Sequence, residues 1–191
     1  MQLVLLYKAQ LLSFIEYRTP AIYHACASSL EKLEHIQDRL LEAAGMSSLD
    51  ALVHCRLAPL SARRDIAMLG LIHRTVLGKG PSHFRTFFKA DVQARVAATA
   101  RHRLQLIEYK DGHWTDFALP NSRPADYISY SMLGLVSVYN RLPAEIVEAT
   151  SSVSAFQGTL QAFMVDRATA GHEDWAQTFS PRVPWHRHPL T

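Results

Sequence analysis

The residues of this 191-residue chain best suited to chemistry are its ten histidines, two cysteines and clustered arginines. His24 with Cys26, and His54 with Cys55, bring metal-ligating types together. On a helix, positions two apart lie about 200° apart, so His24 and Cys26 face different ways. Neither pair has zinc-finger spacing, and Cys26 falls on an apolar stripe, so no metal site is expected. His186 and His188 form an isolated His-x-His in a proline-rich segment and read as surface residues. Gly78-Lys79-Gly80 lacks the upstream glycine and the following hydroxyl of a phosphate-binding loop, and reads as a helix terminator. No Gly-x-Ser-x-Gly elbow is present. The one adjacent acidic pair, Glu173-Asp174, lies in a polar stretch that offers no shared two-metal site. The chain therefore reads as noncatalytic, with no cofactor.

Positive charge is the remaining candidate. Residues 1–60 hold 5 Lys/Arg and 6 Asp/Glu, residues 61–110 hold 10 and 3, and residues 111–191 hold 5 and 8. The formal net charge of +3 thus hides a middle segment at +7. Such a segment is the electrostatic footprint of a protein that touches phosphates, against the plainer reading of a solvated surface paired with the acidic ends. The residues that would contact RNA or DNA are Arg63, Arg64, Arg74, Lys79, Arg85, Lys89, Arg101 and Arg103. Arg63 and Arg64 stand in a first helical turn, where a cation opposes the macrodipole. They either pair with carboxylates or reinforce an anion site at the helix start.

The elements that must position these groups are mainly helical. At 48% hydrophobic residues the chain can bury a core, and two cysteines make no disulfide framework, which points to an intracellular setting, nuclear or cytoplasmic. Residues 2–17 read as a largely apolar helix interrupted at Pro20. Its apolar run, residues 2–15, carries Lys8 and is followed by Glu16, Arg18 and Pro20, so no membrane span is expected, nor a secretory signal. Ile22, Cys26, Leu30, Leu33, Gln37, Leu40 and Ala44 step at helical spacing to Gly45. A short helix over Leu49–Arg56 precedes one opened by Ser61 as N-cap and closed near Leu77 by Gly78, Gly80 and Pro81. Leu104, Leu106, Asp111-Gly112, Phe117 and Leu119 suggest a β-hairpin over residues 104–119. Helical spacing returns at Ile128–Tyr139, from Pro143 to Ala149, and after a Ser154/Gln157 capping box with Phe156, Leu160, Phe163 and Met164 inward. Pro181, Pro184 and Pro189 suggest an extended tail from Phe179. The expected architecture is an irregular helical bundle with one hairpin, divided at 1–95, 96–178 and 179–191.

Several of these punctuation marks fall in the order found in one family. Leu6-Tyr7-Lys8 with Phe14-Ile15-Glu16-Tyr17 and Pro20 resembles the LYK…LEY…P segment beyond the palm and thumb of non-LTR (LINE-type) retrotransposon reverse transcriptases. The stretch from His35 to Leu40 with Gly45 is similar to the helix that follows there. Leu57, Leu60 and Arg63-Arg64 resemble its L..L..RR step, and Gly78 with Pro81 its G..P ending. Tyr139-Asn140 with Leu142-Pro143 resembles WN.LP, with tyrosine for the usual tryptophan, and Ser154, Phe156 and Leu160 the closing helix. The paired aspartates of the polymerase hairpin lie upstream of this region in the family and are missing here. The resemblance, over residues 5–165, therefore implies the noncatalytic C-terminal part of such an enzyme, which in full-length relatives helps to bind template or transcript. The competing expectation is a helical protein-interaction or structural module, a decaying retroelement product, whose apolar first helix seeks a protein partner.

Overall fold

The computed structural model describes residues 2–82, 88–90, 104–106, 131–148 and 152–190. It is mainly helical. Residues 2–17 form one rod made of α1 (Gln2–Tyr7), a π-helical turn (Lys8–Leu12) and α2 (Ser13–Tyr17). Then come α3 (Thr19–Ile22), α4 (Ala27–Ala44), α5 (Ser48–Cys55) and α6 (Leu60–Val76). After the strands β1 (Phe88–Ala90) and β2 (Leu104–Leu106) follow α7 (Met132–Tyr139), α8 (Ala144–Glu148) and α9 (Val153–Thr169), with single turns at Trp175–Gln177 and Trp185–Arg187.

Helix α6 is the hub. Its buried residues, among them Ala62, Asp65, Met68, Leu69, Ile72, His73 and Thr75, go all the way round the helix, as in a helix enclosed by neighbours. Helix α9 lies along one side and α7 along another, while α2, α3 and α4 close the rest. At Gly70 the end of the Gln157 side chain of α9 lies where a Cβ would stand, so a larger residue there would have to displace that side chain. His73 of α6 stacks on Phe156 of α9 with centroids 4.1 Å apart, and its Nδ1 lies 2.9 Å from the Tyr139 hydroxyl of α7. Three helices are thus joined at one aromatic cluster. The Tyr139 hydroxyl titrates above its ordinary range because it is buried.

The main core contains Tyr23, Leu69 and Ile72 together with Leu135, Phe156, Leu160 and Phe179. This core draws residues from both sides of positions 95 and 178. A second cluster joins Val4, Tyr7 and Leu12 of the rod to Leu41, Ala51, Leu57 and Leu60. Lys8, the cation inside the apolar rod, donates from Nζ to the Cys55 carbonyl (3.0 Å) and so satisfies the end of α5. The buried Gln37 accepts from the Tyr7 hydroxyl (3.3 Å) and donates to the Ala58 carbonyl (3.0 Å). Burial pushes the Tyr7 hydroxyl up to about 12.

Local punctuation explains the helix ends. Gly45 and Gly78 adopt φ +63° and +74°. Each closes a paired terminus: Met46 N–H to the Leu41 carbonyl with Gly45 N–H to Glu42, and Lys79 N–H to Arg74 with Gly78 N–H to Thr75. Three expected starts differ. Helix α4 begins at Ala27 rather than Ile22, because Cys26 is extended at ψ 149° and releases the preceding turn, leaving Tyr23 to enter the core. Pro59 stands at the N-cap of α6, and Ser61 is already helical. Ser152, not Ser154, caps α9 by accepting from Ala155 N–H (3.1 Å). Helix α5 has a full capping box between Ser47 and Asp50, and those bonds hold the Asp50 carboxyl below the usual range.

The C-terminal residues are not an extended tail. Phe179 is 1% exposed and His188 2% exposed, and Ser180 accepts from the Arg182 N–H at its hydroxyl (3.3 Å) and from His188 Nε2 at its carbonyl (3.1 Å). Its prolines prevent a long helix but not packing. For the hairpin, the described partner of Leu104–Leu106 is Phe88–Ala90, antiparallel with Phe88 opposite Leu106. Alternating leucines mark a strand without specifying its partner. The turn at Asp111-Gly112 and residues 107–119 lie outside the described residues. Among the described residues, no helix is long and apolar enough to cross a membrane.

Candidate functional site

The basic cluster separates into two kinds of residue. Arg63 donates from Nε to Glu16 of α2, and from Nη1 to the Arg56 carbonyl at 3.4 Å. Arg64 donates from Nη2 to Glu34 of α4 at 2.5 Å, and its side chain is 3% exposed. These carboxylates offset the opposing macrodipole at the start of α6 and clamp two helices to it. Arg64 Nε and Nη1 are buried with no hydrogen-bond partner among the described residues. The two arginines therefore do not meet solvent as a free cationic pair, because α2 and α4 bring carboxylates to them.

Arg74 and Lys79 differ. Both are exposed at the opposite end of α6, roughly 15 Å or more away at 1.5 Å rise per residue. Arg74 Nε donates to the Lys79 carbonyl at 3.0 Å, and both cations complement the negative helix end. Lys89 belongs to β1. Arg85, Arg101 and Arg103 lie outside the described residues.

A second site was not anticipated from the sequence. Ser61 and Asp65, four apart on the first turns of α6, face Gln177, Ser180, Arg182 and Arg187 of the C-terminal segment across a cleft of about 520 Å³. Asp65 is 2% exposed, and its Oδ1 accepts from the Tyr23 hydroxyl at 2.7 Å. Burial raises the Asp65 carboxyl to about 7, despite the opposing pull of the Tyr23 hydrogen bond and the Arg182 and Arg64 guanidiniums. Tyr23 is itself raised, by burial and then by Asp65. Arg182 lies over the Tyr23 ring, 5.7 Å from its centroid. The sequence does carry a trace of this site. Asp65 stands four residues before Leu69 on the inner stripe of α6, where a carboxylate has no bland role.

This burial has a pH consequence. The folded chain holds the Asp65 proton over a range where the unfolded chain, with an ordinary carboxyl near 3.8, releases it. Stability should therefore fall as pH rises from about 4 to about 7, and Asp65→Asn should remove that part of the slope. Urea unfolding across this range checks it. An identical slope in the variant would show that other groups set it.

Cys26 and His24 are both exposed, and the Cys26 thiol lies 3.1 Å from the Ser29 hydroxyl and 3.4 Å from that of Ser28. These bonds lower the thiol to about 7. His54 is exposed and His188 is buried, with its Nε2 3.1 Å from the Ser180 carbonyl. Among the described residues no three His, Cys, Asp or Glu side chains gather as metal ligands. Comparison with protein-family models, curated proteins and solved structures gives no match for this chain.

Proposed function

We propose that this chain is a noncatalytic helical module, akin to the C-terminal region of non-LTR retrotransposon reverse transcriptases, that binds RNA or DNA through phosphate contacts. The observation that supports this reading is the sorting of the basic cluster. Arg63 and Arg64 are committed to Glu16 and Glu34, whereas Arg74 and Lys79 are exposed. The latter pair stands where the chain enters the stretch that carries Arg85, Lys89, Arg101 and Arg103. Phosphate binding is then assigned to Arg74, Lys79 and those following residues, and a structural role to the first two.

Binding to single-stranded RNA and DNA across a salt series tests this directly. Each neutralised phosphate contributes roughly 0.7 to 0.9 to the log–log slope. Arg74→Ala with Lys79→Ala should flatten the slope by about one to two units and leave the melting temperature nearly unchanged. Arg63→Ala with Arg64→Ala should leave the slope and lower the melting temperature. No binding at low salt, or a slope carried by the second pair, would overturn the assignment.

A second reading, a protein-interaction module, is favoured by the outer face of the N-terminal rod. Leu5 and Leu6 are 60% exposed, Phe14 55% and Tyr17 88%, opposite the buried Val4, Tyr7 and Leu12. A contiguous apolar face of this kind marks interaction surfaces. Sedimentation across a concentration series, with and without nucleic acid, separates the readings. Self-association abolished by Leu6→Asp with Phe14→Asp, in a chain that binds no nucleic acid, favours the second.

A further inference from the structure

The cleft between α6 and the C-terminal segment is independent of the exposed cations at the other end of α6. We propose that it binds a small ligand through a terminal oxyanion group, a phosphate monoester or a carboxylate, held by Arg182 and Arg187 above the Asp65 carboxyl. The volume of about 520 Å³ lies in the range of small-molecule sites. Arg187 supplies an exposed guanidinium suited to planar oxyanions, Arg182, with Nε and Nη2 buried, adds positive charge to the wall, and Ser61 and Gln177 add polar groups.

A carboxylate at the floor of an anion site would repel its ligand if it were ionised. The surroundings of Asp65 answer this. Its Oδ1 is occupied by the Tyr23 hydroxyl, and burial holds the group near neutrality as an acid. The other oxygen can therefore carry the proton and donate to the ligand. The charged groups facing Asp65 are Arg64 from α6, Glu34 from α4, which Arg64 already engages, and Arg182 from the C-terminal segment. Tyr23 faces it from the turn after α3 and stays neutral. An anion added to this set favours the protonated carboxyl further, so binding takes up a proton. Affinity should fall by up to about tenfold per pH unit above the Asp65 midpoint.

Calorimetry on the full chain, with inorganic phosphate and with acetate from pH 6 to pH 8.5, tests the proposal. Saturable binding of either probe is expected, and which one binds tells phosphate from carboxylate ligands. Acetate does not titrate in this range, so a decline with pH belongs to the protein. Arg187→Gln alters an exposed side chain, leaves the fold intact, and should weaken binding about tenfold, the effect of one lost ionic contact. Asp65→Asn keeps the Tyr23 hydrogen bond and a donor, so it should bind but lose the pH dependence. Arg74→Ala with Lys79→Ala should change nothing here, which keeps this test separate from the nucleic-acid one. No saturable binding of either probe up to about 50 mM, more than tenfold above a millimolar dissociation constant, would overturn the proposal. So would undiminished binding by Arg187→Gln, or an unchanged pH profile in Asp65→Asn.

Discussion

Replacing Glu34 with alanine is expected to lower the unfolding free energy by about 3 kcal/mol, because it leaves a buried guanidinium without its counter-charge. Arg64 is 3% exposed and its Nε and Nη1 already have no hydrogen-bond partner among the described residues, so Glu34 supplies the hydrogen-bonded counter-charge there. For a chain of this size the loss corresponds to a melting temperature lower by roughly 6–12 °C. Adding Arg64→Met should recover most of it, since a well-packed apolar side chain often replaces a buried ion pair at no net cost. The Arg63–Glu16 pair should behave differently. Its Glu16 side chain is 37% exposed, and Glu16→Ala should cost only about 1 kcal/mol or less. Chemical unfolding of the two single variants and the double variant measures this. Equal losses for Glu34→Ala and Glu16→Ala would show that burial does not set the difference.

Phe179→Ala is expected to cost about 3–5 kcal/mol, a loss no residue of an extended tail could produce. Phe179 is 1% exposed, belongs to the main core and lies 6.2 Å from Phe163 of α9, ring centre to ring centre. Truncation there would leave a cavity lined by α9 and its neighbours. The same variant should render residues beyond Thr178 sensitive to proteases while wild type resists. A loss under about 1 kcal/mol, the range of an exposed site, would mean that the segment is only loosely docked.

Much of the helical framework was legible in the sequence. The ends at Gly45 and Gly78 were readable because a left-handed residue closing its own helix needs no distant partner. The inner positions Phe156, Leu160 and Met164 followed from periodicity alone, since burying one face of a helix imposes its own spacing. Choosing between Ser152 and Ser154 as a cap, or between Ile22 and Ala27 as a start, needed backbone angles that neighbouring residues of similar type do not reveal. The concentration of positive charge was also readable.

Which of those charges face solvent was decided only by tertiary structure. Arg63 meets Glu16 across 47 residues of chain, Arg64 meets Glu34 across 30, and Tyr23 meets Asp65 across 42. Pairings of this range depend on which helices pack together, and no local spacing encodes them. The prolines of the last thirteen residues govern backbone shape and say nothing about burial, so the docking of Phe179 and His188 was equally invisible. The sequence by itself determined the helices, their ends and the concentration of charge in one segment. Only the packed chain decided that two of those cations are internal clamps, and that a buried carboxyl and two arginines share a cleft, because electrostatic roles follow from burial and long-range proximity rather than from residue order.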